Sequence, residues 1–121
     1  MLSRRACLLT LAVLAGCATP PLPHGIRLID AERLQKRIQV EQPRTSRSDT
    51  GTLRVAVSVV NKADGRLVIE GRAIFTGAAG GEAPSGWKRV FINKDSSETL
   101  EFLSLGDKAN DYVVELREAQ R

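Results

Sequence analysis

Between Thr52 and Asn61 the chain places Leu53, Val55, Val57 and Val59 at every second position, against Arg54, Ala56, Ser58 and Val60. A period of two sends successive side chains to opposite faces of a strand, so this segment demands a sheet with one face covered. The same period returns downstream. Leu67, Ile69, Gly71, Ala73 and Phe75 alternate with Val68, Glu70, Arg72 and Ile74. Shorter strands are expected at Arg37 to Glu41, with Ile38 and Val40 on one face, and at Trp87 to Ile92, Thr99 to Ser104 and Tyr112 to Arg117. Turn-forming clusters separate them at 61–65, 77–86, 93–97 and 106–111. About six short strands at this spacing predict an antiparallel β-sandwich of immunoglobulin-like kind, with a small barrel as the competing architecture. No helical crossover of useful length divides the strands, which disfavours a parallel sheet. One short N-terminal helix is expected at Ala31–Lys36, with Asp30 as its N-cap.

The first sixteen residues have a different character. Arg4 and Arg5 precede an apolar run from Ala6 to Ala15, and small residues follow, as in a secretory signal. The run is half the roughly 20 residues that a membrane-spanning helix needs. It ends in Leu14-Ala15-Gly16-Cys17, which resembles the lipobox of bacterial lipoproteins. The resemblance implies cleavage before Cys17, a thioether-linked diacylglycerol on its sulfur and an amide-linked acyl chain. Several chains of this kind hold a protein on a bilayer far more firmly than one, at about 0.8 kcal/mol per buried methylene. The alternative is an ordinary signal peptide followed by a chance structural cysteine. Inner-membrane lipoproteins often carry Asp after the cysteine, so Ala18 implies by analogy an outer-membrane location facing the periplasm.

The expected organisation is a signal peptide at 1–16, a lipidated cysteine with a Pro-rich tether at 17–25, and a β-sandwich domain at 26–121. Cleavage removes Cys7 and acylation consumes Cys17, so no disulfide is expected and stability must come from the apolar core. The mature chain would carry 16 basic and 14 acidic residues, a near balance that gives nucleic-acid binding little electrostatic support.

Groups fit for catalysis are scarce. His24 is the sole histidine and lies in the Pro-rich tether, away from any base or orienting group. One histidine and no free thiol leave a zinc site short of its preferred ligands. Asp107 and Asp111 lack the spacing and closing glutamate of a calcium loop. Gly77-Ala78-Ala79-Gly80-Gly81 has no Lys-Ser or Lys-Thr after it, so a hairpin connection is expected in place of a phosphate loop. Neither catalysis nor a cofactor nor a metal is expected.

Binding is the remaining option. Trp87 and Phe91 fall on one strand face, with Arg89 between them by the same period. In a chain with only 4% aromatic residues, Trp87 is expected first to plug the core. Facing outward, it would stack on a sugar ring or anchor a protein contact. Arg72 and Arg89 lie within strands, where pairing with a carboxylate such as Glu70 is the plain reading and an exposed Arg–Trp patch the sharper one. Lys36, Arg37, Arg44 and Arg47 surround the first strand and are candidates for anionic lipid head groups, or an ordinary solvated surface.

Several segments together resemble the YcfL-like lipoproteins of Gram-negative bacteria. They are Pro43-Arg44-Thr45, the Val-rich strand ending at Asn61, Val68 to Ala73, Pro84-Ser85-Gly86-Trp87-Lys88-Arg89-Val90-Phe91, and Tyr112 to Arg117. The resemblance implies a small envelope lipoprotein with a sandwich domain and no assigned biochemical role. In some genomes such proteins are encoded beside an outer-membrane lipoprotein that activates a peptidoglycan synthase. The resulting expectation is a non-catalytic, lipid-anchored protein that binds another envelope protein in cell-wall assembly or envelope maintenance. The alternative is an accessory lipoprotein that binds peptidoglycan glycan through Trp87, Arg89 and Arg72.

Overall fold

Leu53–Asn61 and Leu67–Gly77, the two strongest alternations, become the longest inner strands of two facing sheets. The computed structural model describes residues 21–119; the signal segment and Cys17 lie outside them. In chain order the elements are β1 (Ile26–Leu28), α1 (Ala31–Leu34), β2 (Ile38–Val40), β3 (Arg44–Arg47), β4 (Leu53–Asn61), β5 (Leu67–Gly77), β6 (Gly80–Gly81), β7 (Lys88–Ile92), β8 (Ser97–Leu103) and β9 (Ala109–Glu118).

The five-stranded sheet runs β1-β9-β5, with β7 and β6 sharing the far side of β5. The four-stranded sheet centres on β4, which pairs with β8 on one side and with β2 and β3 on the other. Inward residues of the two sheets meet in one core. Val55, Val57, Val59, Ile69, Ala73, Ile92, Val114 and Leu116 are fully buried there, with Phe102 and Leu67 beside them. Burying each such Val, Leu or Ile side chain contributes about 1.5–3 kcal/mol. The fold is thus the expected all-β sandwich with one short helix.

Three details depart from the sequence reading. The β1–β9 pairing is parallel, with Ile26 opposite Val114 and Leu28 opposite Leu116. A three-residue strand can enter a sheet this way because α1 and β2 carry the chain across to the other sheet. Asp30 makes no side-chain cap on α1; its backbone is left-handed, at φ 57°. The Ile29 N–H continues the β1 ladder by donating to the Leu116 carbonyl at 2.9 Å, so Asp30 spends its conformation on the turn that follows. Leu34 then holds the single helical turn to the core. Finally, β1, β3 and β6 are too short, or too uniformly exposed, to leave an alternating signature.

Turn chemistry follows the glycines and asparagine. The 77–81 segment is a tight hairpin, with Gly77 opposite Gly80. The register between β5 and β9 slips beside Gly77, where a Cβ would lie 2.1 Å from the Lys108 carbonyl oxygen. Asn61, fully buried, closes the β4–β5 turn: its Nδ2 donates to the carbonyls of Gly65 and Ile92, both at 2.9 Å, and its Oδ1 accepts from the Ala63 N–H at 2.8 Å.

The end of the Pro-rich segment is docked against the domain. Leu22 packs on the core, and the Gly25 carbonyl accepts from the Val114 N–H at 2.7 Å. At Gly25 φ is +83° and a Cβ would meet the Tyr112 ring at 2.7 Å, so only glycine fits this close approach. The last residues of the expected tether therefore belong to the packed domain.

Candidate binding surface

Along β5, β7 and β9 every second side chain faces away from the core. These outward positions are Glu70 and Arg72 on β5, Trp87, Arg89 and Phe91 in and before β7, and Glu115 and Arg117 on β9. Pairing places them in rows across the sheet. Arg27, Glu115 and Arg72 share one row, and Arg117, Glu70 and Arg89 the next.

Each glutamate lies between two arginines. Glu115 accepts from Arg72 Nε at 2.7 Å through one oxygen and from Arg27 Nη1 at 3.2 Å through the other. Glu70 accepts from Arg117 Nε at 3.0 Å and, on its second oxygen, from Arg89 Nη2 at 3.2 Å. The hydrogen bond from Arg72 holds the Glu115 carboxyl below the ordinary carboxylate range, against burial, with the charges of Arg72 and Arg27 adding to it. For Glu70, burial pushes upward but is outweighed by the hydrogen bonds from Arg117 and Arg89, so its carboxyl also sits low. Both therefore remain ionised over the physiological range.

Trp87 is half-buried on this outer surface. The Arg117 guanidinium lies 3.7 Å from its ring centroid and that of Arg72 lies 4.7 Å away, both within cation–π range. Nearby, Phe91 is 53% exposed and Arg66 stands 5.4 Å from its ring. The expectation that Trp87 plugs the core is thus corrected. Val90 and Ile92 take the inward positions of β7, and inward space opposite Lys88 is already filled. There the core-facing residue is Gly71, whose missing side chain is replaced by Leu116, Leu100 and Phe102 at 3.0–3.5 Å.

Beside these rows the sheet meets α1. Arg37 Nε donates to Glu118 at 3.0 Å, and Arg33 stands 3.9 Å from the same carboxylate. Arg33, Arg37, Arg89, Arg117, Glu70 and Glu118 line an open depression of about 1000 Å³. Across the whole surface six arginines (Arg27, Arg33, Arg37, Arg72, Arg89, Arg117) share Glu70, Glu115 and Glu118. Even with Asp30 at the rim, the patch carries an excess of positive charge.

Of the residues singled out in the sequence, Trp87, Arg89 and Arg72 come together on one face. Arg27, Arg117 and Glu115 complete the patch and were not singled out. The outward phase of Glu115 and Arg117 on β9 was visible, but the strand carrying Arg27 and the adjacency of β9 to both β5 and β1 were not. The cluster expected around the first strand disperses: Arg37 joins Glu118, whereas Arg44 and Arg47 lie on β3 toward the other end of β4. His24 is exposed, 3.7 Å from Asp111. Among the described residues no three of His, Cys, Asp and Glu gather as metal ligands, and no helix is long and apolar enough to cross a membrane.

No family model and no curated relative matches this chain in sequence. In structure it is similar to a DUF1425 family member from Shewanella sp. pv-4, with 18% identity over 69% of this chain and 80% of that one, at a TM-score of 0.57. It is also similar to cj0090 from Campylobacter jejuni, with 16% identity over 78% of this chain and 98% of that one, at a TM-score of 0.62. At these identities the likeness is one of fold, and the shared element is the sandwich itself.

Proposed function

We propose that this chain is a lipid-anchored envelope protein, held through Cys17 at the periplasmic side of the outer membrane, whose sandwich binds another envelope protein through the Arg–Trp face of its five-stranded sheet. The observation that carries this reading is Trp87, outside the core and covered by Arg117 and Arg72. A partially desolvated tryptophan rimmed by arginines is the residue chemistry of a protein-binding hot spot. The excess of guanidinium groups selects a partner that presents carboxylates, since arginine pairs with them in a fixed fork geometry. Glu70 and Glu115 hold that fork array in place before the partner arrives. Resemblance to the YcfL-like lipoproteins supports an envelope role and favours a partner in cell-wall assembly; the likeness to a DUF1425 member supports the sandwich fold alone.

The face suits protein better than glycan. A sugar stacking on Trp87 would have to displace a guanidinium already 3.7 Å from the ring centroid. Photo-crosslinking in cells tests the reading, with the probe placed at Arg89 and, separately, at Thr99 on the outer face of the other sheet. A discrete adduct from position 89, absent from position 99 and lost in Arg72→Ala/Arg117→Ala or Cys17→Ala chains, is expected. Equal adducts from both faces would refute it. A saturable change of Trp87 fluorescence on titration with muropeptides would transfer the site to glycan.

A further inference from the structure

At one edge of the sandwich β1 closes the five-stranded sheet and β2 lies at the side of the four-stranded sheet, with no strand among the described residues bridging them. The gap is a slot of about 210 Å³. Leu28 forms one wall and Ile38 and Val40 the other, all three belonging to the core. Leu22, between Pro21 and Pro23, lines the slot as well. Its lining is mainly apolar, yet two lysines contribute to it. Lys36 and Lys62 both line it, and their stretches of backbone are adjacent because the Lys62 N–H donates to the Arg37 carbonyl at 2.8 Å. Neither lysine makes an ion pair among the described residues.

An apolar slot bounded by two uncommitted cations has the polarity of one ligand class: an alkyl chain ending in an anion. We propose that it binds a medium-chain fatty carboxylate, with the tail between Leu28 and Val40 and the carboxylate at Lys36 and Lys62. Size sets the chain length. An apolar cavity of about 150 Å³ holds the six carbons of benzene, so this slot takes about eight carbons, nearly the whole nine-carbon tail of decanoate. Longer chains would leave methylenes in water. The lysines also separate this ligand from the neutral diacylglycerol expected on Cys17, which has no anion to offer them.

The test is titration of the full chain with decanoate, decanol and palmitate, followed by methyl chemical shifts of Leu28, Ile38 and Val40 and by calorimetry. Saturable decanoate binding is expected, with shifts confined to those methyls and decanol at least tenfold weaker. Lys36→Ala/Lys62→Ala should remove the preference for decanoate while leaving decanol unchanged. Val40→Phe, which fills the slot, should abolish both. Arg89→Ala should bind decanoate like the parent chain, so loss of the Arg–Trp face and loss of this site are read separately. No saturable binding, equal affinity for decanol, or palmitate bound as well as decanoate would each overturn the proposal. So would binding seen only in a Cys17→Ala chain, because the slot would then belong to the protein's own anchor.

Discussion

Replacing Asn61 by alanine removes a side chain that satisfies three backbone groups from a fully buried position. The Ile92 carbonyl lies in buried surroundings, and losing its donor there costs about 1–3 kcal/mol. Gly65 and Ala63 lie in the partly buried turn, where water can replace the side chain, so each bond counts for about 0.5–1 kcal/mol. Together these give about 3 kcal/mol. For a domain of this size that corresponds to a midpoint lowered by roughly 12–24 °C. Urea unfolding, followed by circular dichroism and by Trp87 fluorescence, measures the difference directly. Asn61→Asp sharpens the argument. It keeps an acceptor for Ala63 but loses both donors and buries a charge, so at neutral pH it should be worse than alanine and should recover in acid as the carboxyl takes a proton. A loss below about 1 kcal/mol for alanine, or an aspartate variant insensitive to acid, would refute the view that this side chain closes the β4–β5 turn.

Two further outcomes are expected. Glu70 and Glu115 titrate lower in the folded chain than when unfolded, so the unfolded state binds more protons in acid. Their stabilisation is complete above the ordinary carboxylate pKa and is lost as pH falls through the lower folded values; urea midpoints of Glu70→Gln/Glu115→Gln should therefore fall less steeply in acid than those of the parent. Gly77→Ala would set a Cβ 2.1 Å from the Lys108 carbonyl oxygen, a contact with backbone that cannot rotate away. It should cost at least about 2 kcal/mol by the same unfolding measurement, with backbone shifts seen at the β5–β9 bulge.

The period-two runs determined much about this protein. Leu53 to Val59 and Leu67 to Phe75 could bury their alternate side chains only in a sheet with one covered face, so an all-β fold and these core residues were legible from spacing, while the choice of sandwich over barrel was favoured but not fixed by it. Most outward positions were legible too, as a set: Glu70, Arg72, Glu115 and Arg117 carry the polar phase of their strands, whereas Arg89 shares the phase of Trp87 and Phe91. Their partnership was not, because an ion pair across a sheet depends on strand order and register. Those are set by long-range pairing of β9 between β1 and β5, and by a bulge at Gly77 that no local pattern announces.

The same holds for Trp87. Its phase relative to Phe91 and Arg89 was written in the sequence, but the side of the sheet was not. Only the packed structure shows Leu100, Phe102 and Leu116 filling the inward space above Gly71, which leaves the indole outside beneath two guanidinium groups. Local chemistry set each segment's conformation and phase, since both are properties of adjacent residues. The Arg–Trp face joins residues distant in sequence, so tertiary packing alone decided it, whereas the slot is built mostly from the 21–40 segment and only Lys62 reaches it from elsewhere in the chain.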